Sequence, residues 1–412
     1  MMSNIGKISA SARLPSWTRL VCGWANRITR GQLTIRFPNG CEHIAQGSLP
    51  GPSARLDVQS SKLVWKLACG GSLGFARSYI DGDWDTPDLG ALLQLGHANE
   101  AAFGTLLDAA WPARLAAFMR HRLRANTRAG SRRNIAFHYD LGNEFYRLWL
   151  DKTMTYSSAL FLRDDQCLAD AQLTKYARIA EILELGPDDH VLEIGCGWGG
   201  FAEYAAREKG CRVTGLTLSR EQEHFARERL SAAGLSDKSR IRLEDYRDCQ
   251  GQFDKIVSIE MFEAVGEENW TKYFDALRKL LKPGGRALVQ VITVADSHFA
   301  RYRRNADFIQ TYIFPGGMLP SPAAFRSAAA EQGLAVPNET FFGADYDRTL
   351  LAWDKAFVEA WHLIEPLGFD ARFKRMWRYY FHYCAVGFRS RRIDVGQFLL
   401  EDARNLDGAA DC

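Results

Sequence analysis

VLEIGCGWGG, residues 191–200, carries a short apolar run into Gly195, Gly197, Gly199 and Gly200. A strand that ends in closely spaced glycines lets backbone approach a ligand where any side chain would collide. No Gly-Lys-Ser/Thr closes the loop, which excludes a P-loop. Glu193 sits inside the strand, and the loop reads GxGxG rather than the GxGxxG of dinucleotide folds. The pattern points to S-adenosylmethionine and hence to methyl transfer. Features at suitable spacing follow. Thr217-Leu218-Ser219 comes after the next apolar segment, with Gln222 one helical turn on. Such groups at a crevice edge can hydrogen-bond ribose hydroxyls and an amino-acid moiety. Asp245-Tyr246-Arg247 ends the strand after that and is placed to border an adenine.

Outward from this loop, helical and strand patterns alternate from about residue 170, the sign of a parallel sheet with crossover helices. Helices are expected at Gln172–Leu185, Gly200–Glu208 and Arg220–Ala233. Strands are expected at Val191–Ile194, Arg212–Gly215, Ile241–Leu243, Lys255–Ile259 and Ala287–Thr293. Residues 296–345 are too long and too aromatic for a plain connection and read as a lid or acyl-binding insertion. Residues 1–120 read as a small N-terminal α+β domain. Its expected strands are Leu33–Phe37 and the alternating Ser61–Leu67, its turn Pro50-Gly51-Pro52-Ser53, and a helical stretch covers 89–107. A basic linker over 121–133 then leads into the catalytic domain, 134–412.

A chain of 412 residues, 47% hydrophobic and 25% charged, is ordinary for a water-facing protein of two domains. No apolar run reaches the length of a membrane span. The N-terminus lacks the long apolar segment of a secretory signal. The nine cysteines show no CxxC pair or zinc-like spacing, so no metal is expected, and reduced thiols in the cytoplasm fit. Charge is uneven despite a net +3: residues 109–139 hold seven arginines and no acid. Further basic-aromatic clusters lie at Arg301-Tyr302-Arg303-Arg304 and at 373–380, FKRMWRYY. Arg and Lys beside Trp and Tyr suit an anionic membrane surface; a solvated linker and helix face fit equally. No motif supports nucleic acid.

The chain resembles the cyclopropane-fatty-acyl-phospholipid synthase and mycolic acid methyltransferase family. The resemblance rests on HYDLGNEFYRLWLD (138–151), MTYSSALF (154–161), VLEIGCGWGG, VTGLTLSREQ (213–222), DKIVSIEMFEAVG (254–266), YIFPGGMLPS (312–321), GADYDRTL (343–350) and FKRMWRYYFHYCAVGFRSR (373–391). It implies a Rossmann-like class I methyltransferase fold with a seven-stranded, mostly parallel sheet. It implies a cytoplasmic enzyme, peripheral to the inner membrane face, that methylates a cis double bond in a phospholipid acyl chain; related full-length enzymes form dimers, and for this chain a homodimer is one of the open assemblies. Tyr156 and Ser157 fall on the family's cofactor pair near the methionine end; Glu193, Gly195, Gly197, Gly199, Thr217, Leu218, Gln222, Tyr246 and Arg247 fall on its other cofactor segments. Phe308, Tyr312, Phe314, Phe341 and Tyr346 are candidates to line an apolar channel, their aromatic faces stabilising a cation on the chain.

One departure matters. Family cyclopropane synthases hold a bicarbonate that removes a proton from the added methyl and closes the ring. Its ligands are a Cys, a Glu, a His, an Ile backbone and a Tyr. Glu263, the Ile292 backbone and Tyr346 match; Ser158 stands for the Cys and Gln290 for the His, while Cys384 matches an active-site cysteine. Ser and Gln still hydrogen-bond an anion, but the titratable imidazole is gone. If bicarbonate is lost with it, Glu263 becomes the leading general base, and a methylene branch, a methylated alkene or a methylated diene (a furan fatty acid precursor) becomes the product. Ring closure remains the alternative. A small-molecule methyltransferase or a non-catalytic lipid-binding protein fits less well, given the matches outside the cofactor loop and the intact Gly loop, Gln222 and Glu263.

Overall fold

The computed structural model describes residues 15–107 and 141–404. The arginine-rich segment and the 121–133 linker lie outside the described residues. Two compact units are present. The first contains 15–107 with Asn305–Phe308 and Gly368–Val386; the second contains 141–304, Ile309–Leu367 and 387–404.

The first unit is built on a four-stranded sheet, β1 (Arg30–Arg36), β2 (Glu42–Gln46), β3 (Leu49–Val58) and β4 (Trp84–Asp85), in the order β2-β1-β3-β4. The strand expected at 33–37 is β1. Two local expectations fail. Residues 61–67 open a helix, Lys62–Ile80, not a strand: Leu63, Val64 and Leu67 are buried while Lys62 and Trp65 are exposed, an i, i+1, i+4 face. Residues 50–53 are not a turn but part of β3. β4 pairs with β3 only at Asp57 and Val58, and the β1 register shifts between Arg30 and Gln32, so the prolines remove no regular ladder bond. The 89–107 stretch is helical as expected, beginning with Leu89–Ala98.

The second unit holds a seven-stranded sheet. Its strands are β5 (His190–Ile194), β6 (Arg212–Thr217), β7 (Ser239–Leu243), β8 (Phe253–Ile259), β9 (Leu281–Val294), β10 (Leu334–Phe341) and β11 (Ile393–Asp402), ordered β10-β11-β9-β8-β5-β6-β7. From β9 to β7 every pairing is parallel; β11 runs antiparallel to both neighbours. Apolar layers cover both faces, so β5 is buried throughout its last four residues. Leu192, Ile256 and Val289 pack with Phe262, Phe274 and Phe325. Val191, Val213 and Val257 pack with Tyr176, Ile179 and Phe201. Adjacent residues of one strand thus serve opposite layers.

The segment read as a lid is partly sheet architecture. Its later half forms the helix Pro322–Ala330 and β10, the sheet's edge strand. Phe341 belongs to that edge, 37% exposed and edge-on to Phe398, so it is not part of a channel. Phe308 belongs to the first unit, where it packs on Tyr379 and Tyr383. The 373–380 cluster is also corrected: Trp377, Tyr379 and Tyr380 are buried. Arg375 is held by the carbonyls of Tyr79 and Trp84 and by Asp85, so these groups build the first unit's interior rather than an aromatic surface.

Candidate active site

In a parallel sheet, ligand-binding residues gather where strands end at their carboxyl edge. Gly195 follows β5, Thr217 ends β6, Asp245-Tyr246-Arg247 follows β7, and Glu260 follows β8. Gly195, Gly197 and Gly199 have φ of 83°, 52° and 80°, the left-handed region that favours glycine. A Cβ on Gly195 would lie 2.9 Å from Met261, whereas one on Gly197 would meet nothing within 4 Å. Gly197 therefore borders open space at the head of the loop. Thr217 donates its hydroxyl to Gln222 Oε1 at 2.9 Å, which fixes that carboxamide and leaves its nitrogen with no partner among the described residues. Ser219 caps the helix Arg220–Ala232 by accepting from the Gln222 N–H. Burial raises the Glu193 carboxyl to about 8 and leaves Oε2 without a partner. Arg247 is locked in a fork on Asp245 (2.8 and 2.6 Å) and lies over the Tyr246 ring. A glycine cradle, undirected amide donors and an orphaned buried carboxyl oxygen fit a nucleoside-linked amino acid such as S-adenosylmethionine.

The segment Tyr156–Phe161 forms the next wall. The Tyr156 ring lies 5.1 to 6.5 Å from those of Tyr146, Trp149, Trp353 and Phe314. The Ala159 N–H donates to Thr349 and the Phe161 N–H to Asp345, which fastens the segment to the helix Gly343–Glu359. Ser157 is held from the helix Leu168–Ile182: its hydroxyl accepts from Lys175 Nζ at 2.6 Å and its carbonyl from Gln172 Nε2 at 2.9 Å.

Ser158, Gln290 and Tyr346 converge on a side chain that the sequence reading passed over. Glu260 Oε1 accepts from the Ser158 backbone N–H and from Gln290 Nε2, each at 2.8 Å. Glu260 Oε2 accepts from the Tyr346 hydroxyl at 2.6 Å. The Ser158 contribution is thus its N–H; its hydroxyl donates to the Ala159 carbonyl instead. Gln397 on β11 donates to Gln290 Oε1 at 3.0 Å, turning the Gln290 nitrogen toward Glu260. Glu260 has φ of 51°, unusual for a residue with a side chain, and the conformation delivers its carboxylate into this ring of donors. Burial pushes its carboxyl up, and the Tyr346 hydrogen bond is the largest influence the other way.

Glu263 stands one turn on. Its Oε1 accepts from the Ile292 N–H at 2.6 Å, and its Oε2 is buried without a partner. Burial, reinforced by the Glu260 charge, lifts its carboxyl to about 8. The two carboxyls are both buried, and the charge of Glu260 disfavours ionisation of Glu263. Cys384 belongs to the first unit, where burial raises its thiol well above the usual range and keeps it protonated.

This sheet order with a glycine loop after β5, the first of its strands along the chain, defines a class I S-adenosylmethionine-dependent methyltransferase fold. A family model described as mycolic acid cyclopropane synthetase matches residues 126–398. The tuberculostearic acid methyltransferase of Mycobacterium tuberculosis is 38% identical over 348 residues, 82% of this chain and 81% of that protein. The cyclopropane-fatty-acyl-phospholipid synthase of Escherichia coli is 37% identical over 361 residues, 85% of this chain and 88% of that one. A crystal structure of mycolic acid cyclopropane synthase CmaA1 complexed with SAH and CTAB matches with a TM-score of 0.61 at 33% identity, covering 65% of this chain and 97% of that one. The chain belongs to the mycolic acid cyclopropane synthetase family. It is an enzyme of the S-adenosylmethionine-dependent carbon methyltransferase and cyclopropane synthase type.

Proposed function

We propose that the enzyme methylates a carbon–carbon double bond in an unsaturated phospholipid acyl chain, and that Glu260 then takes a proton from the resulting cation: from the chain, to leave a methyl-branched alkene, or, after a hydride shift onto the neighbouring carbon, from the added methyl, to leave a methylene branch. The observation that carries this reading is the Glu260 carboxylate at the meeting point of Ser158, Gln290 and Tyr346. These are positions for which the family resemblance implied contacts to bicarbonate. A second anion set against a buried carboxylate would meet both desolvation and like-charge repulsion. We therefore assign the proton-accepting role to Glu260 in place of bicarbonate, and a neighbouring, not a catalytic-base, role to Glu263.

S-adenosylmethionine, when bound, supplies an electrophilic methyl group on a positively charged sulfur. The chain's own residues do the rest. The loop from Gly195 to Gly199 and the Gln222 amide receive the cofactor, and Tyr156 with Ser157 borders its methionine end. The aromatic wall of Tyr146, Trp149, Tyr156 and Trp353 excludes water and offers ring faces to positive charge on the acyl chain. Tyr346 and Gln290 hold Glu260 ionised and aimed until a proton arrives. Exposed Arg301 and Arg304, with Arg303 held on Glu267, support an anionic membrane surface as the place of work, at the inner face and from the cytoplasm. A homodimer is the assembly expected there.

Expression in a host without such enzymes, supplied with cis-monounsaturated acyl chains, tests the reading. Fatty-acid methyl esters should gain one carbon, with proton NMR showing a methyl branch or an exocyclic methylene. Cyclopropane ring protons would return the ring-forming alternative, and an unaltered lipid profile would end the acyl-chain reading. Glu260→Gln should lose product while still binding S-adenosylhomocysteine; product retained would remove Glu260 as the base.

A further inference from the structure

Lys175 is a fully buried lysine that the chemistry above leaves unused. Its nitrogen donates to Ser157 Oγ at 2.6 Å and to Gln172 Oε1 at 2.7 Å. Gln172 in turn donates to the Ser157 carbonyl at 2.9 Å, so Lys175, Gln172 and Ser157 close a small ring of hydrogen bonds. Both of its acceptors are neutral, and among the described residues no carboxylate pairs directly with it. A buried cation so placed is costly unless its charge serves something.

Two consequences follow from donor chemistry. An ammonium group only donates, so Ser157 Oγ must accept from it and keeps its own proton for another partner. The Ser157 hydroxyl donates to no acceptor among the described residues, and the family resemblance implies that Ser157 lies beside the methionine end of the cofactor. The second consequence is charge. The groups that face Lys175 are Glu260 after β8, Asp151 in the loop before Tyr156, and Glu193 on β5, with Glu260 the strongest. Glu193 is also answered by Arg229, which pairs with Glu203. Glu260 meets only neutral donors in direct contact, from Ser158, Gln290 and Tyr346, while burial and the Glu260 charge itself oppose ionisation of the neighbouring Glu263. Lys175 is the cation that favours its ionised form. Because Ser157 and Ser158 are consecutive, one lysine touches the residue beside the cofactor and stands behind the N–H that holds the base.

We propose that Lys175 is a positioning residue for the reaction: it turns the Ser157 hydroxyl proton toward the cofactor and supplies the positive charge that keeps Glu260 a base. The proposal rests on the reading of Glu260 given above. It explains why a lysine is retained where burial, partly offset by Glu260, Asp151 and Glu193, brings its ammonium down to about 7.

The test uses the full chain. Lys175→Met should weaken S-adenosylhomocysteine binding about tenfold by calorimetry and move the acid limb of kcat upward by about one pH unit, since removing a nearby cation raises a carboxyl. Lys175→Arg should bring the limb back. A kcat that falls equally at every pH, with the limb unmoved, would make Lys175 merely structural and overturn the proposal. Should these variants not fold, NMR of lysine labelled with 13C at Cε decides the matter without them. One lysine of the wild-type chain should titrate near neutrality, and in Glu260→Gln its midpoint should fall by about one unit as its counter-charge goes. No such lysine, or a midpoint indifferent to Glu260→Gln, would overturn it. Turnover retained in Glu260→Gln would instead sink the base assignment, a separate result from the NMR coupling.

Discussion

Replacing Tyr346 with Phe deletes one hydroxyl and little else. The ring keeps its stack on Phe388, with centroids 4.5 Å apart, and its edge contact with Trp353. What is lost is a 2.6 Å bond from O–H to the Glu260 carboxylate in a buried setting. Hydrogen bonds to charged groups are worth about 1.5–3 kcal/mol. One pKa unit corresponds to about 1.4 kcal/mol, so the Glu260 carboxyl should rise by roughly one to two units. The bond favours the ionised form, and its loss favours the acid. A general base must be ionised, so the acid limb of kcat should move to higher pH by that amount, with activity largely recovered above it. The assay is initial rate on unsaturated phospholipid vesicles across the pH range at saturating cofactor. Stability carries the same sign. Glu260 has a folded-state pKa already above its unfolded value, so its contribution is present at low pH and lost as pH rises. Tyr346→Phe should steepen that loss, widening the gap in melting temperature from wild type as the pH increases. A uniform drop in kcat with an unmoved limb would place the hydroxyl on the substrate, and the reasoning about Glu260 would fail.

Glu263→Gln should remove part of the pH dependence of folding. The wild-type carboxyl stands near 8 against an ordinary 4.5, so its stabilisation is complete below about 4.5 and disappears as pH climbs through 8. Urea unfolding at pH 5 and pH 8 should show a smaller decline in the variant; equal declines would mean that Glu263 ionises normally. In the glycine loop, Gly195→Ala meets Met261 at 2.9 Å on top of a positive φ and should cost more than about 2 kcal/mol in thermal or chemical unfolding. Gly197→Ala meets no protein atom and should fold better than Gly195→Ala yet weaken S-adenosylhomocysteine binding at least tenfold. Unchanged binding in Gly197→Ala would show that the open space beside it is not ligand space.

The parallel sheet was legible because its signals are local. Continuous apolar strands, each ended by glycine or a small polar group, can be read a few residues at a time. The mistakes were local too: Ser61–Leu67 alternates well enough to pass for a strand, and only burial of Leu63, Val64 and Leu67 on one side shows a helix. Pro50 and Pro52 read as a turn because sequence does not reveal that β3 is open along one edge there. Ser158, Gln290 and Tyr346 were found through a family pattern. Glu260 was not, because its meaning depends on partners 102, 30 and 86 residues away along the chain. A Glu following Ser-Ile at a strand end looks like the start of any polar loop. Lys175 was hidden for the opposite reason: on an amphipathic helix, a lysine is presumed to face water.

Backbone strain gives independent reason to treat Glu260 as purposeful. Among the described residues only Met154, Glu184, Glu260 and Arg391 adopt positive φ without being glycine. Such a conformation costs about 1–2 kcal/mol for a residue with a side chain, and glycine at position 260 would avoid that cost. Glycine would also leave the Ser158 N–H, the Gln290 amide and the Tyr346 hydroxyl pointing at one another's empty centre. Three donors converging on nothing invite an external anion; three donors converging on a tethered carboxylate have theirs already. The tether changes the chemistry in one respect that matters for the product. A small free anion can reorient or leave with its proton, whereas Glu260 is fixed by its own strand end and must return its proton through the groups around it. Those groups are a tyrosine hydroxyl, a neighbouring carboxyl near its titration point and a buried lysine charge, an arrangement able to hold a proton and then release it between turnovers.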